Sequence, residues 1–201
     1  MSEKESVPAV YLTPKSKREI ADHQMQTVGR LQARFPDAAL EHSEFRGEVT
    51  IVVKPEAIVE IAKFVRDTPE LLYRHLADVT CVDYLQLDTE RGRFAIVYHL
   101  YSFKYGDRIR LKAFLPEQEP RIDSLVPVWQ TANWLEREVY DMFGIVFRNH
   151  PDLRRILMPE DSVHFPLRKD YPLTGRGERE SFPYVTRDGR IIEKSRSPRA
   201  R

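Results

Sequence analysis

The stretch from Trp134 to Leu173, WLEREVYDMFGIVFRNHPDLRRILMPEDSVHFPLRKDYPL, sets the main limit on what this chain can fold into. Its first third reads as a helix carrying Glu136-Arg137-Glu138 and stopping at Gly144, a usual C-terminal signal. Asp141 follows Arg137 by four residues and Glu138 by one turn, so acid and base alternate on one helical surface. Beyond Gly144, the prolines at 151, 159, 166 and 172 forbid a long helix. Only short apolar clusters remain there, and ordering each backbone residue costs about 1–2 kcal/mol, so this part cannot build a core alone. Yet Leu153, Ile156, Leu157, Phe165, Tyr171, Phe182 and Tyr184 are too many anchors for a purely solvating tail. The expectation is an extended arm over residues 145–201 that orders by wrapping a partner, with the basic end KSRSPRAR loose.

The core must therefore come from residues 16–144. Residues 1–15 read as a flexible N-terminal arm. Ser16, with Glu19 three positions on, starts a helix whose apolar positions Ile20, Val28, Leu31 and Phe35 run up to Pro36. Leu40–Phe45 and Glu48–Val53, separated by Arg46-Gly47, read as a β-hairpin. Pro55 opens a second helix with Ile58, Val59, Ile61, Ala62 and Val65 on a broad apolar face. A weaker segment, Asp78–Leu87, enters the sheet. Phe94–Phe103 is apolar on both faces, as a central strand is. After the turn at Tyr105-Gly106-Asp107, Ile109, Leu111, Ala113 and Leu115 alternate with Arg108, Arg110 and Lys112, which buries one side only. The order α-β-β-α-β-β-β, then the Trp134 helix, predicts an α+β fold: a two-layer sandwich of a mixed sheet and helices, followed by the extended C-terminal tail.

Composition narrows function by exclusion. Lys and Arg number 32 against 31 acids, a formal charge of +1, so no global field draws the chain to nucleic acid or membrane. No apolar run reaches the roughly 20 residues needed to span a bilayer. The opening MSEKESVP has neither the apolar region of a secretory signal nor the acid-poor character of an import leader, so a cytoplasmic compartment is expected. Cys81 is the single cysteine: a disulfide scaffold is excluded, and an iron–sulfur cluster, which takes four ligands, cannot be held by this chain alone. Cys81 reads as a small buried hydrophobe.

Glu138 and Asp141 are the candidates for paired carboxylates, with His150 as a conceivable third metal ligand. One helical face supplies only two oxygens, and His150 lies past the glycine break, so ion pairing with Arg154, Arg155, Arg168 or a partner's arginine is the favoured reading. His150, before Pro151, is expected to pin a turn. His23, His42, His75, His99 and His164 lack ligand spacing, and His99 reads as a hydrogen-bonded core histidine. Gly175-Arg176-Gly177 lacks the remaining parts of a phosphate loop. The basic, aromatic tail is interrupted by Asp170, Glu178, Glu180, Asp188 and Glu193, which suits a protein surface better than nucleic acid.

Glu136-Arg137-Glu138, Asp141-Met142-Phe143, His150, Arg154 and Ile156-Leu157, with PLRKDYPL downstream, closely resemble the signature of one family: the thirty-kilodalton (C) subunit of NADH:quinone oxidoreductase, or respiratory complex I. The resemblance implies the same α+β architecture and a non-catalytic place in the peripheral arm, on the cytoplasmic side of a bacterial inner membrane. It implies docking against the hydrogenase-like quinone-site subunit and neighbouring peripheral-arm subunits, with the membrane reached only through the complex. FMN and iron–sulfur clusters would sit in other subunits and none in this chain. Glu136, Arg137, Glu138, Asp141, His150, Arg154, Arg155, Arg168, Lys169 and Asp170 would then serve as partner-interface or structural ion pairs. The alternatives are the equivalent subunit of a related quinone-reductase or membrane-bound hydrogenase complex, and a stand-alone metal-dependent hydrolase built on Glu138, Asp141 and His150.

Overall fold

Ser16 begins the first helix by satisfying its free backbone donors. In the computed structural model, the Glu19 N–H donates to Ser16 Oγ at 3.3 Å, and the Ser16 N–H donates to the Glu19 carboxylate at 2.8 Å. Described are residues 15–87, 91–176, 184–185, 187–188 and 190–192; residues 1–14 of the expected N-terminal arm, the anchor Phe182 and the basic end KSRSPRAR lie outside them. Helix α1 spans Lys17–Arg34, and a hairpin follows: β1 (Ala39–Phe45) and β2 (Glu48–Val53), turning through Arg46 and Gly47, both at positive φ. A 3₁₀ turn at Pro55–Ala57 leads into α2 (Ile58–Asp67). Strands β3 (His75–Asp83), β4 (Phe94–Ser102) and β5 (Asp107–Leu115) complete a mixed five-stranded sheet in the order β1-β2-β5-β4-β3, whose one parallel pair is β2 with β5. β6 (Arg121–Asp123) precedes α3 (Ala132–Phe143), and β7 (Val146–Arg148) returns beside it in parallel; two-residue strands β8 (Tyr184–Val185) and β9 (Ile191–Ile192) pair antiparallel.

The result is the expected α+β sandwich. One face of the sheet joins α1, α2 and α3 in a continuous core that includes Leu31, Ile51, Ile61, Phe94, Tyr98 and Leu111. Part of the α1 contact is polar. His23 places Nδ1 2.7 Å from the Asp107 carboxylate and Nε2 2.8 Å from the Glu70 carbonyl, and the Tyr73 hydroxyl donates to the same Asp107 oxygen at 2.8 Å. Among the described residues, no helix is long and apolar enough to cross a membrane.

Three local expectations need correction. β3 starts at His75 rather than Asp78, because a register shift between Leu76 and Asp78 breaks the alternation from which a strand is read. β4 is an interior strand buried on both faces, as expected, paired with β3 and with β5 at the middle of the sheet. His99 lies on the face of β4 opposite the core, in register with Arg110, where it is half-buried rather than a core residue. The boundary at Gly144 also falls inside the fold. Ile145 and Phe147 are buried, and the pairing of β7 with β6 ties them to the same body.

Candidate functional site

α3 buries an apolar stripe in which one carboxylate is embedded. Ala132, Glu136, Val139 and Phe143 recur at helical spacing and are all buried. Glu136 is 0% exposed and accepts hydrogen bonds from Ser124 Oγ at 2.6 Å and the Leu125 N–H at 2.7 Å. Burial pushes its carboxyl up to about 7, against the pull of those two donors. Glu136 therefore fastens α3 to the turn after β6. It does not face the tail or a partner, which corrects the expectation that the charged residues of α3 share one outward surface.

Arg137 and Asp141 hold the chain as it returns. Arg137 is buried, stacks 5.0 Å from the Trp134 ring, and donates to the carbonyls of Arg154 at 3.2 Å and Arg155 at 3.3 Å. Asp141 is 0% exposed. Its Oδ2 accepts from the backbone N–H groups of Ile156, Leu157 and Met158 at 3.0, 2.7 and 2.8 Å, and its Oδ1 accepts from Arg155 Nη1 at 2.6 Å. Burial raises this carboxyl, but the three amides and Arg155 outweigh it and hold it below the usual carboxylate range. Arg155 is thus the intrachain partner of Asp141. Among the described residues, Arg154 pairs only with Asp152, at 2.9 Å.

A second anchor closes over the C-terminal end of α3. Its last carbonyls lack helical donors. The Leu167 N–H donates to Met142 O at 3.1 Å, and Arg168 Nε to Phe143 O at 2.6 Å. The Arg168 guanidinium lies over the rings of Phe94 and Phe165. Gly144 permits this crossing: its φ is +73°, and a Cβ there would stand 2.7 Å from Arg168 Nη2 and from the Phe165 ring. Next along, the Lys169 N–H donates to Asp83 Oδ2 at 2.9 Å, while Arg93 holds Asp83, Glu117 and Asp170 at 2.8–3.0 Å. Burial raises the Asp83 carboxyl, yet Arg93 and the backbone donors bring it down to about 2.

Residues 145–171 thus run as a strap across their own domain, where the sequence suggested an arm committed to a partner. Asp83 and Arg93, which sequence reading did not single out, fasten its far end. The available signal was Asp83 itself, a charge in the inward phase of a strand with Val79 and Cys81. Of the other candidates, His150 pins its turn: the Asp152 N–H donates to Nδ1, and Nε2 donates to the Asn133 carbonyl, both at 3.1 Å. Glu138 is exposed and has no ion pair among the described residues. The structure does not bring Glu138, Asp141 and His150 together, since Asp141 is enclosed by the strap. Among the described residues, no three His, Cys, Asp or Glu side chains are grouped to hold a metal ion. On the outside, Trp134 at 62% exposure, Leu157, Val163 and Leu167 present large apolar surface.

Residues 51–177 match the family described as respiratory-chain NADH dehydrogenase, 30 Kd subunit. A relative from Geotalea uraniireducens (strain Rf4), named as the C subunit of NADH-quinone oxidoreductase, is 53% identical over 150 residues, 75% of this chain and 88% of the relative. One of the same name from Roseiflexus castenholzii (strain DSM 13941 / HLO8) is 53% identical over 146 residues, 73% of this chain and 82% of its own. Among solved structures, the trypsin-resistant fragment (1-134) of Nqo5 superposes with a TM-score of 0.54 at 30% identity, covering 65% of this chain and 99% of that one. A chain of an archaeal membrane-bound sulfane sulfur reductase shares the fold, with a TM-score of 0.62 at 21% identity over 75% of this chain and 86% of that one.

Proposed function

The chain belongs to the family of the 30 kDa subunit of respiratory-chain NADH dehydrogenase, and on that premise we propose that it is a non-catalytic, cofactor-free subunit in the peripheral arm of a proton-translocating NADH:quinone oxidoreductase. In that assembly, electrons pass from NADH through FMN and iron–sulfur centres of other subunits to quinone. This chain holds the geometry by docking against the hydrogenase-like quinone-site subunit, and it meets the cytoplasmic side of the bacterial inner membrane only through the complex.

The observation that carries the reading is how the signature side chains are used. Glu136, Arg137, Asp141 and Arg155 are all engaged in bonds that shape the chain itself. What they build is a strap on which Leu157, Val163 and Leu167 are exposed, as are Trp134 and Glu138 of α3. Exposed apolar side chains of that size suit contact with a protein neighbour. The equivalent subunit of a related quinone-reductase or hydrogenase complex would use the same construction, so the partners decide between them.

The test is purification of a tagged chain from its own cells in mild detergent. Stoichiometric recovery of the quinone-site subunit with NADH-driven quinone reduction is expected, and the chain alone is expected to be colourless and inactive. Stoichiometric flavin, iron or zinc on the isolated chain, or NADH oxidation by it, would overturn the assignment.

A further inference from the structure

The sheet face turned away from the helices is a second surface, separate from α3 and the strap. Val52, Ala95 and Val97 are buried on it, yet none of them belongs to the core cluster shared with the helices. What shields them is their own neighbours. Lys112 of β5 stands in register between Val52 of β2 and Val97 of β4. Its ammonium donates to the Tyr84 hydroxyl at 2.5 Å and sits 4.8 Å and 4.9 Å from the ring centroids of Tyr84 and Phe114. Among the described residues, no carboxylate pairs with it; Glu41 feels its charge but is held by Arg91. Two positions back, Arg110 reaches, among the described residues, only the Glu48 carboxylate, at 3.5 Å, and Glu48 is shared with Arg108 at 3.4 Å. The Arg110 Nε is buried with no acceptor among the described residues.

A solvated sheet face ordinarily carries polar side chains in water. Here an apolar floor is covered by cations whose charge is incompletely answered, and one of their donors is closed off from solvent and left without an acceptor, which is costly. We propose that this face docks an acidic surface of a neighbouring subunit, whose Asp or Glu side chains supply the acceptors for Lys112 and Arg110 while its apolar groups seat on the half-buried Phe114. Lipid headgroups fit less well, because the Arg110 side chain is only 24% exposed and Lys112 is folded onto two rings. The proposal rests on the chain being a subunit, but it concerns a surface that reading does not use.

The experiment compares lysine acetylation in the intact complex and in the isolated full-length chain, together with zero-length carbodiimide cross-linking of the complex. Labelling of Lys112 is expected to fall roughly tenfold or more on assembly, and Lys112 to cross-link to an Asp or Glu of another subunit. Lys112→Glu, checked for folding by near-ultraviolet circular dichroism, should lower retention in the complex, while Lys112→Arg retains it. Equal labelling in both states, protection without a carboxylate cross-link, or a cross-link to a second copy of this chain would each overturn the proposal. If the wild-type chain enters no complex, the subunit assignment fails instead, and co-purification reads that out first.

Discussion

Replacing Asp141 by Asn removes one charge from a site built around it. One carboxylate oxygen collects three backbone N–H groups, and the other meets Arg155 at 2.6 Å. An amide has a single acceptor oxygen, so either the three amides or Arg155 must face its NH₂ group. If the oxygen stays with the amides, the Arg155 guanidinium, 9% exposed, loses its counter-charge and keeps only carbonyl acceptors. Breaking a buried pair on one side costs about 3–5 kcal/mol. The loss falls on strap docking rather than on the whole fold, because the sheet and its core make no use of Asp141. Native-state hydrogen exchange of the isolated chain reads it directly: the amides of Ile156, Leu157 and Met158 should exchange roughly a hundredfold or more faster, while β4 and β5 keep their protection. Because its pKa is depressed, the wild-type Asp141 stabilises fully above the ordinary carboxylate pKa and loses that contribution as pH falls through its folded value. Unchanged exchange at all three amides would refute the claim that Asp141 holds the strap.

Glu136→Gln acts in the opposite pH direction. The folded carboxyl is raised to about 7 from 4.5, so wild-type stability declines as pH rises between those values, by on the order of 3 kcal/mol. Urea titrations should show the Gln variant losing that slope and becoming the more stable chain at pH 7 and above; parallel pH profiles for the two would contradict it. Gly144→Ala sets a side chain at φ +73° against Arg168 and Phe165. The backbone alone costs about 1–2 kcal/mol, and the signature is faster exchange at Leu167 and Arg168 with little change in β5. Arg93→Ala leaves Asp83 buried without its cation, at a cost of about 3–5 kcal/mol. It should make the chain clippable by protease between residues 158 and 170, where the wild type resists.

Where a signal was local, the sequence carried it. The Ser16–Glu19 capping box, the Arg46-Gly47 hairpin and the alternation of β5 each arise from neighbours within a few residues, and each element formed where expected. β6 and β7 escaped notice because three residues are too few to display a period of two. The burial of Glu136, though not its candidacy, is what the helical phase discloses. This residue shares the helical stripe of Ala132, Val139 and Phe143, and a charge in that phase implies a buried, bonded carboxylate. In the anchor of Asp83, Arg93, Glu117 and Asp170 only Asp83 carries such a signature, and its partners come from three further segments that only the closed sheet and the returning strap bring together. The expectation of a partner-wrapping arm differs from the observed strap for a related reason. Sequence shows that residues 145–171 cannot make a core of their own, but not that their own domain offers the surface to lie on.

The central claim is that the signature charges hold shape rather than carry out chemistry. The most direct test is quinone reductase activity per assembled complex, with the complex quantified separately, for Asp141→Asn, Arg137→Ala and Glu138→Ala. The expected result is that activity falls only in proportion to the amount of intact complex, steeply for Asp141 and Arg137 and weakly for the exposed Glu138. Normal assembly with collapsed turnover in any of the three would place that side chain in the reaction and contradict the account.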